Sequence, residues 1–267
     1  MNSKFCRYSF GFLLLLLILS AFYFSDIALF LAAIFFIIIA MNEYRNMFKQ
    51  KEIYIHKVLP ETIGICVAYF FIFFDNISMH IFITPIILSG VILTFITTII
   101  KNKKPYLLTS FATITSFLLI FCGLYIIKLT YFFKDINAWH MILTYFMAVL
   151  LGDFVASKIG PKFKKKLAPE ISPTKTIGGA IANLITSCFV CLSLSVLMNY
   201  PILYCLILGV ITSIFAQIGD LTISSFKRDL GIKHSGTMFL EYGGILDRMD
   251  AFIFSAPAAY YCLCLFS

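Results

Sequence analysis

Residues 202–250 read ILYCLILGVITSIFAQIGDLTISSFKRDLGIKHSGTMFLEYGGILDRMD. The stretch opens on an apolar run, Ile202–Ser225, long enough at 1.5 Å per residue to cross a bilayer as a helix. It closes on a polar segment, Phe226–Arg248, rich in charge and carrying a Gly-Gly pair. Acids bracket that segment: Asp220 before it, Asp247 and Asp250 at its end. Lys227, Arg228, Lys233 and Arg248 lie among them. Carboxylates suited to a hard divalent cation, beside cations suited to phosphates, point to nucleotide chemistry at the end of a membrane helix.

The rest of the chain agrees with a membrane setting. Hydrophobic residues make up 61% of 267 positions and charged residues 13%, where soluble proteins carry about 25% charged residues. Mean hydropathy is +0.95. Working outward, apolar runs fall at Phe10–Phe24, Ile27–Met41, Thr62–Phe74, Ile81–Ile100, Leu107–Leu129, Met141–Ala156, Ile177–Met198, Ile202–Ser225 and Met249–Phe266. The first resembles a signal peptide, but no clear A-x-A cleavage site follows and a second run begins at once, so it reads as a retained helix. The expectation is an all-α, polytopic integral membrane protein with about nine transmembrane helices. Residues 1–140 form an N-terminal set of about five spans, and 141–267 form a C-terminal catalytic region.

Charge orients these spans. With the N-terminus in the cytosol and the C-terminus outside, 19 of the 21 Lys and Arg residues fall on the inner side. That asymmetry follows the positive-inside rule. It also accounts for the net charge of +8 without nucleic acid, through anionic headgroups and anionic substrates. Most of the eight cysteines lie in apolar runs, and Cys188-x-x-Cys191 reads as small buried apolar residues and not as a redox or zinc pair. The block Ser157–Thr176, with three prolines and six lysines, reads as a loop, and so does the polar block Asn42–Glu61.

Three constellations carry chemistry. In the eighth run Ser213, Gln217, Asp220, Ser224 and Lys227 stay within about 40° of one line at ~100° per residue. A helix–helix hydrogen-bond seam would explain the serines and Gln217, but not Asp220 and Lys227. Asp247 and Asp250 share a helix face and, with Asp220, could hold one or two Mg²⁺ ions. An acid at a helix N-terminus explains either one alone, and the pair less well. Gly243-Gly244 permits close backbone approach to a ligand and leaves amide donors free. Ser172-Pro173-Thr174-Lys175-Thr176 places hydroxyls and a lysine before a helix start, an arrangement suited to phosphate. Lys164, Lys165 and Lys166 read as markers of the inner side, and Asp153 as an orienting acid for a polar partner.

The segment Ser224-Ser225-Phe226-Lys227-Arg228, then Lys233, then Gly243-Gly244-Ile245-Leu246-Asp247-Arg248-Met249-Asp250 resembles the signature of the phosphatidate cytidylyltransferases, the CDP-diacylglycerol synthases. Ser172–Thr176 resembles their S-P-K-K-T element. The likeness covers roughly Asp153 to the end; the first half matches only as a set of spans. His234 stands where the family has Asp, Tyr242 where it has His, and Gly178 where it has an acid, with Glu241 a neighbour able to compensate.

The resemblance implies transfer of CMP from CTP to phosphatidate. It implies Asp220, Asp247, Lys227 and Arg228 as catalytic residues, and Asp220, Asp247 and Asp250 as ligands of Mg²⁺, in one or two ions with a monovalent cation as a further component. Ser172, Lys175, Thr176, Ser224, Lys233, Gly243, Gly244 and Arg248 would bind substrate. Membrane lipids and a second copy of the chain are the expected partners, and a bacterial plasma membrane with a cytosolic site the expected location. Two other classes remain open at this point: a CTP-dependent lipid kinase, which would need a general base, and a transporter, which would carry its ionisable groups near mid-membrane.

Overall fold

The computed structural model describes residues 26–74, 79–102, 104–132, 138–198, 201–236 and 243–266. The first apolar run, Phe10–Phe24, lies outside them, as do Glu241 and Tyr242. Each of the other eight runs is a helix. These are α1 (Asp26–Lys49), α2 (Val58–Phe73), α3 (Met79–Lys101), α4 (Tyr106–Phe132), α5 (Ala138–Ile159), α6 (Ile177–Met198), α7 (Ile202–Asp229) and α8 (Leu246–Phe266). Among the described residues, six helices are long and apolar enough to cross a membrane, and α2 is a shorter apolar helix. The protein is an all-α, polytopic membrane protein.

The packing runs in two directions from α8. It lies against α7 on one side and α4 on the other, while α5, α6 and α7 pack in sequence and α1, α2 and α3 gather around α4. Gly219 lets α7 and α8 approach closely: a Cβ there would collide with the Asp250 carbonyl, so the two backbones meet where the acids lie. Aromatic contacts fasten the remainder. Phe146 packs on Phe252 at 5.1 Å, and Phe71 and Phe121 on Tyr125 at 5.3 and 5.2 Å. The Tyr145 hydroxyl bonds Ser255 Oγ at 2.8 Å, so the hydroxyl buried between α5 and α8 is partnered.

Three polar segments differ from their sequence reading. Asn42–Lys49 continues α1 and is not loop. It contains no Gly or Pro, and Met41, Tyr44 and Met47 keep the buried stripe going. At the other end α7 runs on to Asp229, and Gly231, at φ 72°, turns the chain after it. Ser157–Thr176 is also more than a loop. Helix α5 continues to Ile159, a 3₁₀ turn follows at Gly160–Lys162, and strands β1 (Lys166–Ala168) and β2 (Ser172–Thr176) pair antiparallel. The turn between them contains Pro169, where no ladder N–H is needed.

Candidate active site

The polar face of α7 divides into two parts with different jobs. In the first, Ser213 Oγ donates to Asn183 Oδ1 at 2.7 Å, and Gln217 Nε2 reaches the Ala180 carbonyl at 3.3 Å. This part is a seam joining α7 to α6. In the second, Asp220 pairs with Lys175 and accepts from Ser224 Oγ at 3.3 Å, and Lys227 Nζ donates to Asp247 Oδ1 at 2.6 Å. The residues that seam formation does not explain are therefore the ones holding opposite charges from two other elements.

Lys175 reaches Asp220 because the hairpin is pinned at its exit. The Thr176 hydroxyl accepts from Gly179 N at 3.1 Å and donates to the Gly160 carbonyl at 2.9 Å. It thus caps α6 and ties β2 to the 3₁₀ turn. Arg228 Nε donates to the Ile171 carbonyl at 3.0 Å, holding the hairpin tip against the end of α7. Between the hairpin, α5, α6 and α7 lies a cavity of about 330 Å³, lined among others by Asp153, Thr174, Lys175, Asn183, Gln217 and Asp220.

Asp247 is held by several donors. Its Oδ2 accepts from Ser235 N at 2.8 Å and Gly244 N at 3.2 Å, and His234 Nδ1 lies 3.7 Å away. Gly243, at φ 89°, turns the backbone so that the Gly244 amide faces it. Asp247 lies in the first turn of α8, ahead of the apolar run from Met249. Burial alone would raise its pKa; the Lys227 charge and the hydrogen bonds from Lys227, Ser235 and Gly244 outweigh that and hold it below the ordinary carboxylate value.

A fourth acid joins from α1. Glu43 is 7% exposed, and its Oε1 accepts from Ile245 N at 2.8 Å. Its Oε2 accepts from Leu246 N at 3.0 Å and from Ser235 Oγ at 3.3 Å. Glu43 escapes the sequence reading because the polar block Asn42–Glu61 reads as loop. The signal was an acid among Met41, Tyr44 and Met47 on the buried side of a continuing helix.

The profile of the Cytidylyltransferase family matches residues 5–266. A phosphatidate cytidylyltransferase of Bacillus subtilis (strain 168) is 30% identical over 246 residues, 86% of each chain. Shorter matches link the chain to enzymes of the same name in Staphylococcus saprophyticus, 43% identical over 121 residues, and in Staphylococcus aureus (strain COL), 44% identical over 121 residues. Each of these two covers 44% of this chain and 46% of the relative. The chain belongs to the cytidylyltransferase family.

In this family member the predicted residues form two neighbouring groups. Lys175, Thr176 and Asp220 border the cavity, with Ser224 bonded to Asp220. Lys227, Gly243, Gly244 and Asp247 meet at the head of α8. Asp250, 7% exposed, accepts from Ala251 N at 2.8 Å and lies where Gly219 passes. Arg248 is half-buried, Ser172 is half-buried at the hairpin, and Arg228 and Lys233 are exposed. The amides after Gly243 are not free: Gly244, Ile245 and Leu246 already donate to Asp247 and Glu43. At Gly178 a Cβ would collide with the Phe163 ring, so an aromatic side chain covers the position where the family signature has an acid.

Among the described residues no three His, Cys, Asp or Glu side chains stand together as a metal-holding group. Asp220 and Asp247 each face a lysine instead. Two hard carboxylates held beside ammonium groups fit Mg²⁺, which takes one or two protein carboxylates and completes its shell with water and substrate phosphate oxygens.

Proposed function

We propose that this protein is a phosphatidate cytidylyltransferase, converting CTP and phosphatidate to CDP-diacylglycerol and pyrophosphate at the cytosolic face of a bacterial plasma membrane. The observation that carries this reading is the pair of ion pairs, Lys175–Asp220 and Lys227–Asp247, towards the C-terminal end of α7 beside a polar cavity. The names of the relatives support the choice of substrates.

The two substrates are both anions and repel each other. A phosphate oxygen of phosphatidate forms a bond to the α-phosphorus of CTP, and the bond from that phosphorus to the bridging oxygen of pyrophosphate breaks. The nucleophile is already ionised near neutral pH, so no strong base is needed. What the protein must supply is positive charge and alignment. Lys175 and Lys227, held by Asp220 and Asp247, are cations fixed in direction before substrate arrives. The oxygens of a triphosphate would compete with Asp220 and Asp247 for these ammonium groups. Asp220 and Asp247 are the acids that would hold Mg²⁺, and the bound ion would neutralise phosphate charge and favour pyrophosphate departure. Arg228, Lys233 and Arg248 add positive charge, with Ser172 and Ser224 as neutral partners for phosphate oxygens. CTP enters the cavity from the cytosol, and phosphatidate enters laterally from the leaflet.

The test uses protein in detergent with Mg²⁺, phosphatidate and CTP labelled at either the α- or the γ-phosphate. Label from the α-position should appear in lipid and label from the γ-position in pyrophosphate. Transfer of γ-label to lipid would instead make the protein a kinase. Asp220→Asn and Asp247→Asn should each lower turnover by ~100-fold or more while membrane insertion is retained; full turnover in either variant would remove that acid from the mechanism.

A further inference from the structure

We infer that Glu43 is a positioning residue for Asp247, so that the N-terminal spans take part in building the active site. A buried carboxylate is strongly unfavourable unless hydrogen bonds satisfy it. Glu43 has three donors on its two oxygens, two of them N–H groups at the start of α8. The first amides of a helix have no intrahelical partner and carry its positive dipole end. Glu43 therefore fills, from within the protein, the place a phosphate would take at the Gly-Gly helix start.

The same two backbone segments serve both acids. Ser235 gives its amide to Asp247 and its hydroxyl to Glu43. In the next strip, Gly244 N donates to Asp247, while Ile245 N and Leu246 N donate to Glu43. Glu43 thus anchors, from α1, the pieces of backbone that hold Asp247 Oδ2 in place. The fit is tight: a Cβ at Gly244 would collide with the Glu43 carboxylate, and one at Gly236 would come within 2.9 Å of it. Displacing Glu43 loosens Asp247 without removing any group that touches substrate.

The kinetic part of the test rests on the proposed cytidylyltransferase activity; the structural part does not. Glu43→Gln and Glu43→Ala are compared with the unaltered chain, and Glu61→Gln, which removes an ion pair to Arg45, serves as control. Backbone hydrogen exchange followed over residues 232–236 and 243–250 should quicken by about tenfold in Glu43→Gln, more in Glu43→Ala, and not in Glu61→Gln. For folded, monodisperse protein, kcat should fall by ~10–100-fold in Glu43→Gln with KM for CTP and phosphatidate within about twofold of the unaltered value. Unchanged exchange in both Glu43 variants overturns the inference. So does faster exchange with an unchanged kcat, since Glu43 would then be structural only. If the unaltered protein transfers no CMP, the functional reading fails instead, and exchange alone decides for Glu43.

Discussion

Gly244 has no room for a methyl group, because the Glu43 carboxylate lies against its Cα. Gly231 has a positive φ of 72° but nothing within 4 Å of an added Cβ. The two glycines therefore separate steric need from conformational need. Gly231→Ala should destabilise the protein by only about 1 kcal/mol, the strain of a left-handed residue. Gly244→Ala should destabilise it by ~1–3 kcal/mol from overpacking and also lower turnover, since Asp247 bonds the same amide. Thermal unfolding in detergent and the CMP-transfer assay measure the two effects. Equal losses for both variants would contradict the packing around Glu43. The sequence marked Gly243-Gly244 as a special pair but gave a different reason for it, free amides for a ligand. The Gly244 amide goes to Asp247 close by, whereas the amides of Ile245 and Leu246 go to Glu43, 202 positions away from Ile245 and beyond the reach of any local pattern.

At the scale of elements, two junctions respond to defined changes. The link following α1 buries His56, whose Nε2 lies 3.1 Å from Thr98 Oγ1 and 3.2 Å from Thr97 Oγ1 on α3. Burial, reinforced by the Lys101 charge, pushes the His56 pKa below its ordinary value of 6.5. The unfolded chain therefore takes up a proton at a pH where the native one does not. Stability is full above the ordinary value and declines as pH falls below it, until the native group also titrates. The unfolding midpoint should drop between about pH 7.5 and 5.5, and His56→Gln should flatten that slope. At the other junction, Phe163 after the 3₁₀ turn covers Gly178 at the start of α6. Gly178→Glu, which restores the acid of the family signature, should by itself destabilise the protein by ~1–3 kcal/mol. Phe163→Ala combined with Gly178→Glu should recover most of that loss, a non-additivity read from a double-mutant cycle. Purely additive losses would mean that the ring does not guard this position.

For the whole molecule, the division at residue 140 is a useful map of the sequence but not a boundary in the interactions. Helix α8 packs on α4 as well as α7, and Glu43 of α1 completes the head of α8. A fragment of residues 138–267 would expose the α4-facing side of α8 and leave the Ile245 and Leu246 amides without Glu43. Produced alone it should aggregate or be degraded and show no CMP transfer, whereas co-production with residues 1–137 should restore a monodisperse, active assembly. Size-exclusion chromatography in detergent and the transfer assay read the outcome. An active isolated fragment would contradict the coupling of the two halves.

Hydropathy alone determined that the chain is a bundle of membrane helices, because a helix in hydrocarbon satisfies its own backbone and needs only length and apolar side chains. The signature from Ser224 to Asp250 likewise revealed the chemistry, since its spacing is local along the chain. Tertiary structure decided which partners those residues have. Lys175 meets Asp220 only because a hairpin, unseen in a lysine-rich block, folds back over α7. Glu43 meets α8 only because polar residues after an apolar run continue its helix. Periodicity records which face of an element is buried; it carries no record of which distant element covers that face. That choice is made by packing among helices far apart in the chain, and it is there that the acids of this site acquire their places.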